Sequence, residues 1–224
     1  MTSALVLPSP FLPTHVYAPL ADALGRRGWG VAVSSPPAAP LDAAAVLDAF
    51  GADAARASPD VVVAHSNAGR YAAAVAPPGA VVLYADAALP PDSGDATLAP
   101  AALLDALAAM ADDDAFLPPW TRWWDEEDIA PVVPDPVLLE RIRADEPRVP
   151  LSYARSRLGA PEGWRGRRSG YLAFGGTYAE EVGRARSWGW PVHVLAGALH
   201  LHLLLEPGEV ADEVVALAAT CAAS

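Results

Sequence analysis

The sequence contains no lysine, and this absence excludes two large classes of enzyme. All 15 basic residues among its 224 positions are arginine. Without a lysine, no Schiff base can join the chain to a carbonyl cofactor, so pyridoxal phosphate chemistry is excluded. A P-loop, whose lysine contacts nucleotide phosphates, is excluded for the same reason.

Cysteine is almost as scarce. The single Cys221 cannot form a disulfide within the chain, and it cannot supply a cluster of thiolate ligands. A pair of histidines, His200 and His202, lacks a convincing third ligand for zinc. We therefore expect neither a metal site nor a cofactor.

Long apolar runs are missing as well. Hydrophobic residues make up 53% of the chain and the mean hydropathy is +0.22, but proline, glycine or charge interrupts every run before it could cross a bilayer. The N-terminal stretch has no basic residue and meets Pro8 early, unlike a signal peptide. These features predict a globular, cytoplasmic protein with no membrane partner.

Positive charge is in deficit. Aspartate and glutamate number 27 against 15 basic residues, which gives a formal charge of −12. Such a balance argues against a nucleic-acid partner. The length suits one domain, or one domain with an inserted subdomain.

Apolar runs of strand length alternate with longer alanine-rich helical patterns, which is typical of a parallel sheet covered by helices. The runs predict strands over residues 4–7, 30–34, 61–64, 80–85, 171–174 and 192–196. The helical patterns cover residues 15–27, 41–57, 67–75, 98–111, 135–146, 179–187 and 206–219.

An insertion rich in proline and tryptophan separates the fourth and fifth predicted strands. We predict a core formed by residues 1–86 and 169–224, with a helical cap over residues 87–168. Aromatic side chains this dense are typical of an apolar pocket roof, although a small core of their own is the alternative. The predicted pocket residues are Trp120, Trp123, Trp124 and Trp164.

Ser66 follows the clearest predicted strand and has small residues, Ala64 and Ala68, two positions before and after it. This spacing fits a nucleophile elbow, a sharp strand-to-helix turn in which close packing requires small neighbours. The turn also places the serine at a helix N-terminus, which favours a developing anion. A simple helix cap is the alternative for Ser66.

His200 and Asp86 are the candidate partners of this serine. His200 follows the last predicted strand, so it is expected at the same sheet edge and is the candidate general base; His202 is expected to be structural. His65 precedes the serine and is expected to point elsewhere. Asp86 follows the strand after the elbow strand and is the candidate acid.

The chain order Ser66, Asp86, His200 resembles that of the α/β-hydrolases, and the resemblance extends from Leu5 to about Leu217. It implies a doubly wound parallel sheet with a helical cap insertion. Three motifs resemble a group of actinobacterial members more narrowly: LPSPFL at 7–12, YADAALP at 84–90, and LPPW at 117–120 followed by Trp123 and Trp124.

Two features depart from the usual family pattern. The commoner acid position follows the strand at 171–174, whose exit has no carboxylate before Glu180, so Glu180 is only the reserve acid. The oxyanion hole needs two backbone amides, and the second falls on Pro10, which has no N–H. We expect Asn67 and Phe11 to donate; the hydroxyl of Ser9 or Thr14 is the alternative.

These observations predict a serine hydrolase of esterase, thioesterase or lactonase type. Its expected partner is a small apolar ester, thioester or lactone from secondary metabolism. Because Pro10 weakens the expected oxyanion hole, a lyase or cyclase that uses the same pocket is the alternative. A non-catalytic ligand-binding protein is the third candidate.

Overall fold

The computed structural model describes residues 1–37 and 41–223; positions 38–40 and 224 of the predicted core lie outside the described residues. Its centre is a sheet of six parallel strands: β1 Ser3–Leu7, β2 Gly30–Val33, β3 Val61–Ser66, β4 Val81–Ala87, β7 Ser169–Phe174 and β8 Val192–Leu195. They lie side by side in the order β2-β1-β3-β4-β7-β8. A separate antiparallel pair joins β5 Asp95–Thr97 to β6 Arg157–Gly159.

Helices cover both faces of the sheet. They are α1 Ala18–Arg26, α2 Ala43–Ala57, α3 Gly69–Val75, α4 Ala101–Met110, α5 Glu126–Ile129, α6 Pro136–Asp145, α7 Leu151–Arg155, α8 Ala179–Ser187, α9 His202–Leu205 and α10 Pro207–Ala223. Helix α1 packs against α10, and α2 packs against α3. Every residue of β3 and β4 is buried, as expected for a parallel sheet. In the described part of the chain, no helix is long and apolar enough to cross a membrane.

The first helix begins later than its periodicity predicts. Residues Thr14–Tyr17 form a turn of 3-10 helix, and the α-helix starts only at Ala18. Pro19 explains the difference, because a proline ring clashes with the carbonyl four residues earlier and is tolerated only in the first turn of an α-helix.

The segment between β4 and β7 contains α4 to α7 and the β5–β6 pair. Helices α4 and α6 lie close to the predicted stretches, whereas the sequence patterns do not predict β5, β6, α5 or α7. These elements are three to five residues long, too short for a periodicity to emerge. The division into core and cap stays a prediction.

The parallel order brings several loops to one edge of the sheet. From β1 the chain first adds β2 on one side and then β3 on the other, so the strand order reverses at β1. In a parallel sheet the carboxyl ends of all strands lie at the same edge, and a crevice forms there where the order reverses. The loops after β1, β3, β4, β7 and β8 therefore face a common site.

Candidate active site

Ser66 occupies a sharp turn between β3 and α3. It is a non-glycine residue with a left-handed backbone (φ 57°), a conformation that a β-carbon makes unfavourable. Ala64 and Ala68 on either side are fully buried, and the Ala68 amide donates to the His65 carbonyl at 3.1 Å. The turn fits the small-residue spacing of the sequence.

Asp86 lies in a bulge at the end of β4. Along the paired strands, His65 is opposite Ala85 and Ser66 is opposite Ala87, so Asp86 is an extra residue with no partner. Its φ of 44° is also left-handed. Bulges re-aim a side chain, and here the carboxylate leaves the strand direction and turns towards the loop after β8.

The structure brings Asp86 and His200 together. The Nδ1 atom of His200 lies 2.6 Å from Oδ2 of Asp86, and the other carboxylate oxygen accepts a hydrogen bond from the Phe174 amide at 3.1 Å. Asp86 is completely buried, and each of its two carboxylate oxygens has one of these partners. A carboxylate on Nδ1 fixes the ring with Nε2 free to accept a proton.

Ser66 and His200 line the same cavity, but in the described part of the chain no direct hydrogen bond joins them. Tyr178 lines this cavity too, and its ring centre lies 5.9 Å from that of His200. Burial raises the pKa of Tyr178 and the contact with Ser66 lowers it by less, so the phenol stays protonated. Catalytic hydrogen bonds in free enzymes often tighten only when substrate binds.

The sequence patterns do not single out Tyr178. Its loop, which follows β7, contains no carboxylate before Glu180, and a carboxylate is what the usual family pattern has there. The signal that could have found Tyr178 is its position. It is a residue with an aromatic hydroxyl in the loop after a predicted strand, and that strand ends at the same sheet edge as the Ser66 turn.

The two candidate oxyanion donors, the backbone amides of Asn67 and Phe11, differ in whether another group already accepts their hydrogen bond. Among the described residues, no acceptor is found for the Asn67 amide, while the Phe11 amide points to the Ser9 hydroxyl at 3.4 Å. The Asn67 side chain is fixed separately, since it donates to the Leu98 carbonyl. Thr14 is exposed and lines a different depression, so it is not placed to serve this site.

The cavity above Ser66 has a volume of about 350 Å³ and a largely apolar wall. Trp120, Trp123 and Trp124 line it, as do Phe11 and helix α4 through Leu103. Two carboxylates, Asp128 and Glu181, are also in the wall, and burial raises the pKa of Glu181. The cavity therefore suits a mainly apolar ligand.

The structure places Trp164 away from this cavity, contrary to the expectation from sequence. Gly163, with a left-handed backbone, and the 3-10 turn Trp164–Gly166 return the chain towards β7. The indole N–H of Trp164 donates to the Pro91 carbonyl at 3.1 Å, and the ring packs edge-on against Trp188 and Trp190. Trp164 is thus a core residue of a second tryptophan cluster.

The remaining candidates have other partners. His202 pairs with Glu209 at 2.8 Å, which agrees with a structural role, and Glu180 is exposed on α8. His65 does not point away from the site. Its ring centre lies 4.6 Å from that of His200, and its Nε2 lies 3.0 Å from the His200 carbonyl oxygen.

Comparison with known proteins supports the fold. No family model matches the chain, and no curated protein matches it significantly. Solved structures do match over nearly full length. One is an extracellular α/β-hydrolase from a Paenibacillus species, described as sharing structural and functional homology with tobacco salicylic acid binding protein 2 (13% identity, 97% of this chain and 98% of that chain, TM-score 0.74).

Two further similar structures bind or act on apolar molecules according to their names. Tomato methylketone synthase I in complex with 2-tridecanone has 12% identity, covers 98% of this chain and 99% of its own, and gives a TM-score of 0.71. A pyrethroid hydrolase from Sphingobium faniae JZ-2 has 16% identity, covers 97% of both chains, and gives a TM-score of 0.64. The chain therefore has the α/β-hydrolase fold, which confirms the predicted fold class.

Proposed function

We propose that this protein is a serine hydrolase that acts on a small apolar ester, thioester or lactone. The observation that carries the proposal is the 2.6 Å pair of Asp86 and His200 at the edge of the cavity that Ser66 also lines. Supporting it are the left-handed turn at Ser66 and the aromatic wall. The names of the structural neighbours, which include a pyrethroid hydrolase, agree with this class.

The proposed reaction has two steps. The Ser66 oxygen attacks the acyl carbon while its proton passes to Nε2 of His200, and Asp86 stabilises the resulting imidazolium. The tetrahedral intermediate then expels the alcohol or thiol, which takes that proton, and leaves an acyl-enzyme. Water attacks the acyl-enzyme by the same route, releasing the acid and restoring Ser66. The amide of Asn67 stabilises the oxyanion, with the Phe11 amide as the second donor.

Covalent labelling tests this proposal. A fluorophosphonate probe is expected to modify Ser66 stoichiometrically, as seen by intact mass and peptide mapping, and the protein is expected to hydrolyse p-nitrophenyl esters. Ser66→Ala should abolish both results, whereas Ser93→Ala on an exposed loop should change neither. Ester hydrolysis that survives Ser66→Ala would contradict the mechanism.

A lyase or cyclase is the second candidate, and the loop after β1 favours it. Pro10 has no N–H, and the Phe11 amide is directed to Ser9, so a tetrahedral oxyanion has weak support. One neighbouring structure is methylketone synthase I complexed with β-ketoheptanoate. Release of CO₂ from this β-keto acid that requires His200 but leaves Ser66 unlabelled would select this alternative over the hydrolase.

The third candidate is a non-catalytic ligand-binding protein. The observation that favours it is that Ser66 and His200 line one cavity while, among the described residues, no direct hydrogen bond joins them. Tight binding of an apolar ligand, with no labelling and no turnover of either substrate class, would select it. Membership of the narrower actinobacterial group, and a place in secondary metabolism, are part of the proposal from sequence.

A further inference from the structure

A buried chain of hydrogen bonds runs beneath the site and connects three of its loops. The Ser9 amide donates to the Tyr17 hydroxyl at 2.8 Å, and that hydroxyl lies 2.9 Å from Nδ1 of His65. On the other side of the ring, Nε2 of His65 lies 3.0 Å from the His200 carbonyl oxygen. Ser9, Tyr17 and His65 are each at most 1% exposed.

The direction of each bond follows from the chemistry of its ends. The His200 carbonyl oxygen can only accept, so Nε2 of His65 carries the proton and Nδ1 is the acceptor. The Tyr17 hydroxyl therefore donates to Nδ1 and accepts from the Ser9 amide. Every donor and acceptor is satisfied only while His65 is neutral.

The surroundings keep His65 neutral. Burial lowers its pKa well below the ordinary value, the neighbouring His200 lowers it further, and the bond to the carbonyl opposes them. The two rings are 4.6 Å apart, so a charge on His65 would oppose the imidazolium that His200 forms during the proposed reaction.

Each end of this chain belongs to a functional loop. Ser9 is in the loop after β1 that carries Phe11, His65 is bonded to Ser66, and the accepting carbonyl is the backbone of His200 itself. We propose that Tyr17 and His65 are positioning residues that fix the His200 loop and the Phe11 loop relative to Ser66. This inference rests on the proposed function.

Substitutions at the two residues separate positioning from general stability. Tyr17→Phe keeps the ring but leaves the Ser9 amide and Nδ1 of His65 without partners. His65→Leu removes both bonds, while His65→Gln keeps a donor near the His200 carbonyl. A displaced catalytic group costs on the order of 10- to 100-fold in rate, so we expect that loss in kcat for Tyr17→Phe and His65→Leu with little change in KM. His65→Gln should restore part of the rate.

Tyr84→Phe is the matched control. Tyr84 is fully buried and its hydroxyl has no partner within the described residues, so removing that oxygen should leave kcat unchanged. Far-UV circular dichroism and thermal melting show which variants fold. If His65→Leu does not fold, Tyr17→Phe and His65→Gln still decide the question.

A second readout does not depend on turnover. The Nδ1 proton of His200, held by Asp86, gives a downfield proton NMR signal, and a displaced imidazole shifts or broadens it. Tyr17→Phe should move this signal and Tyr84→Phe should not. If kcat and the signal both stay as in the wild type for Tyr17→Phe and the folded His65 variants, the inference is wrong. If the fluorophosphonate probe does not label Ser66 in the wild type, the hydrolase proposal fails. The NMR result alone then decides whether the chain of hydrogen bonds positions His200.

Discussion

At the scale of single residues, the site depends on two residues whose backbones are in the left-handed conformation. Ser66 and Asp86 both have positive φ, and each stands where a strand gives way to a loop. Such conformations cost on the order of 1–3 kcal/mol and persist where the surrounding structure enforces them. Here the fully buried strands β3 and β4 enforce them, and both side chains are turned out of the sheet towards His200 and the cavity.

Asp86→Asn tests the role of the carboxylate. Asparagine accepts the left-handed backbone as readily as aspartate, so the fold should persist. The asparagine side chain, however, would not select the His200 tautomer that leaves Nε2 free to accept a proton. We therefore expect kcat to fall by a factor on the order of 10³ to 10⁴. Ester hydrolysis and thermal melting measure the two effects, with Asp48→Asn on the exposed face of α2 as the control. Activity within a few-fold of wild type would mean that Asp86 is only structural.

At the scale of elements, helix α3 lies unusually close to the end of β4. A β-carbon placed on Gly69, the first residue of α3, would lie 2.2 Å from the Ala88 carbonyl oxygen and 3.0 Å from the Ala87 side chain. The backbone approach that places the elbow beside the bulge therefore requires glycine at this position. The sequence shows this only as one small residue among several.

We expect Gly69→Ala to destabilise the protein. The neighbouring atom belongs to the backbone, so relief requires a shift of α3 or β4, and overpacking of this kind costs about 1–3 kcal/mol. Gly183→Ala on α8 is the matched control, because no described atom lies within 4 Å of the position that its methyl group would take, and alanine favours a helix by about 0.5–1 kcal/mol. Chemical denaturation gives both free energies of unfolding. Equal stability of the two variants would disprove the close contact.

Helix α4 contributes a wall of the cavity through Leu103, while the adjacent Leu104 packs elsewhere against the core. Leu103→Trp should fill part of the 350 Å³ space and select shorter acyl groups. Each excluded methylene forfeits about 0.8 kcal/mol, or roughly fourfold in kcat/KM. A series of p-nitrophenyl esters of increasing chain length measures this preference, with Leu104→Trp as control. An unchanged chain-length profile for Leu103→Trp would place the acyl group outside this cavity.

At the scale of the whole molecule, the sequence predicts the sheet far better than the contacts across the site. Strand and helix periodicities are local, and they locate all six parallel strands and the major helices. The part played by His65 is not local, because its ring is hydrogen-bonded to Tyr17 in the 3-10 turn before α1 and to the His200 carbonyl in the loop after β8. The prediction that Trp164 lines the cavity is wrong for the same reason. The density of tryptophans predicts that they cluster, but the turn after Gly163 determines that Trp164 packs in the second cluster and not in the cavity wall.

The neutral His65 should also make the stability of the whole protein depend on pH. Its folded-state pKa lies well below the 6.5 of an unperturbed histidine, so the unfolded chain binds the extra proton first as pH falls. The stabilisation is complete above pH 6.5 and is lost as pH falls from there towards the folded pKa, at up to about 1.4 kcal/mol per pH unit. Burial raises the pKa of Glu146 and Glu181, which opposes this slope equally in wild type and variant.

We therefore expect the difference in unfolding free energy between wild type and His65→Gln to shrink below pH 6.5 in denaturation curves, and Tyr84→Phe to follow the wild-type slope. A difference that stays constant from pH 7.5 to pH 5 would show that His65 does not titrate on unfolding.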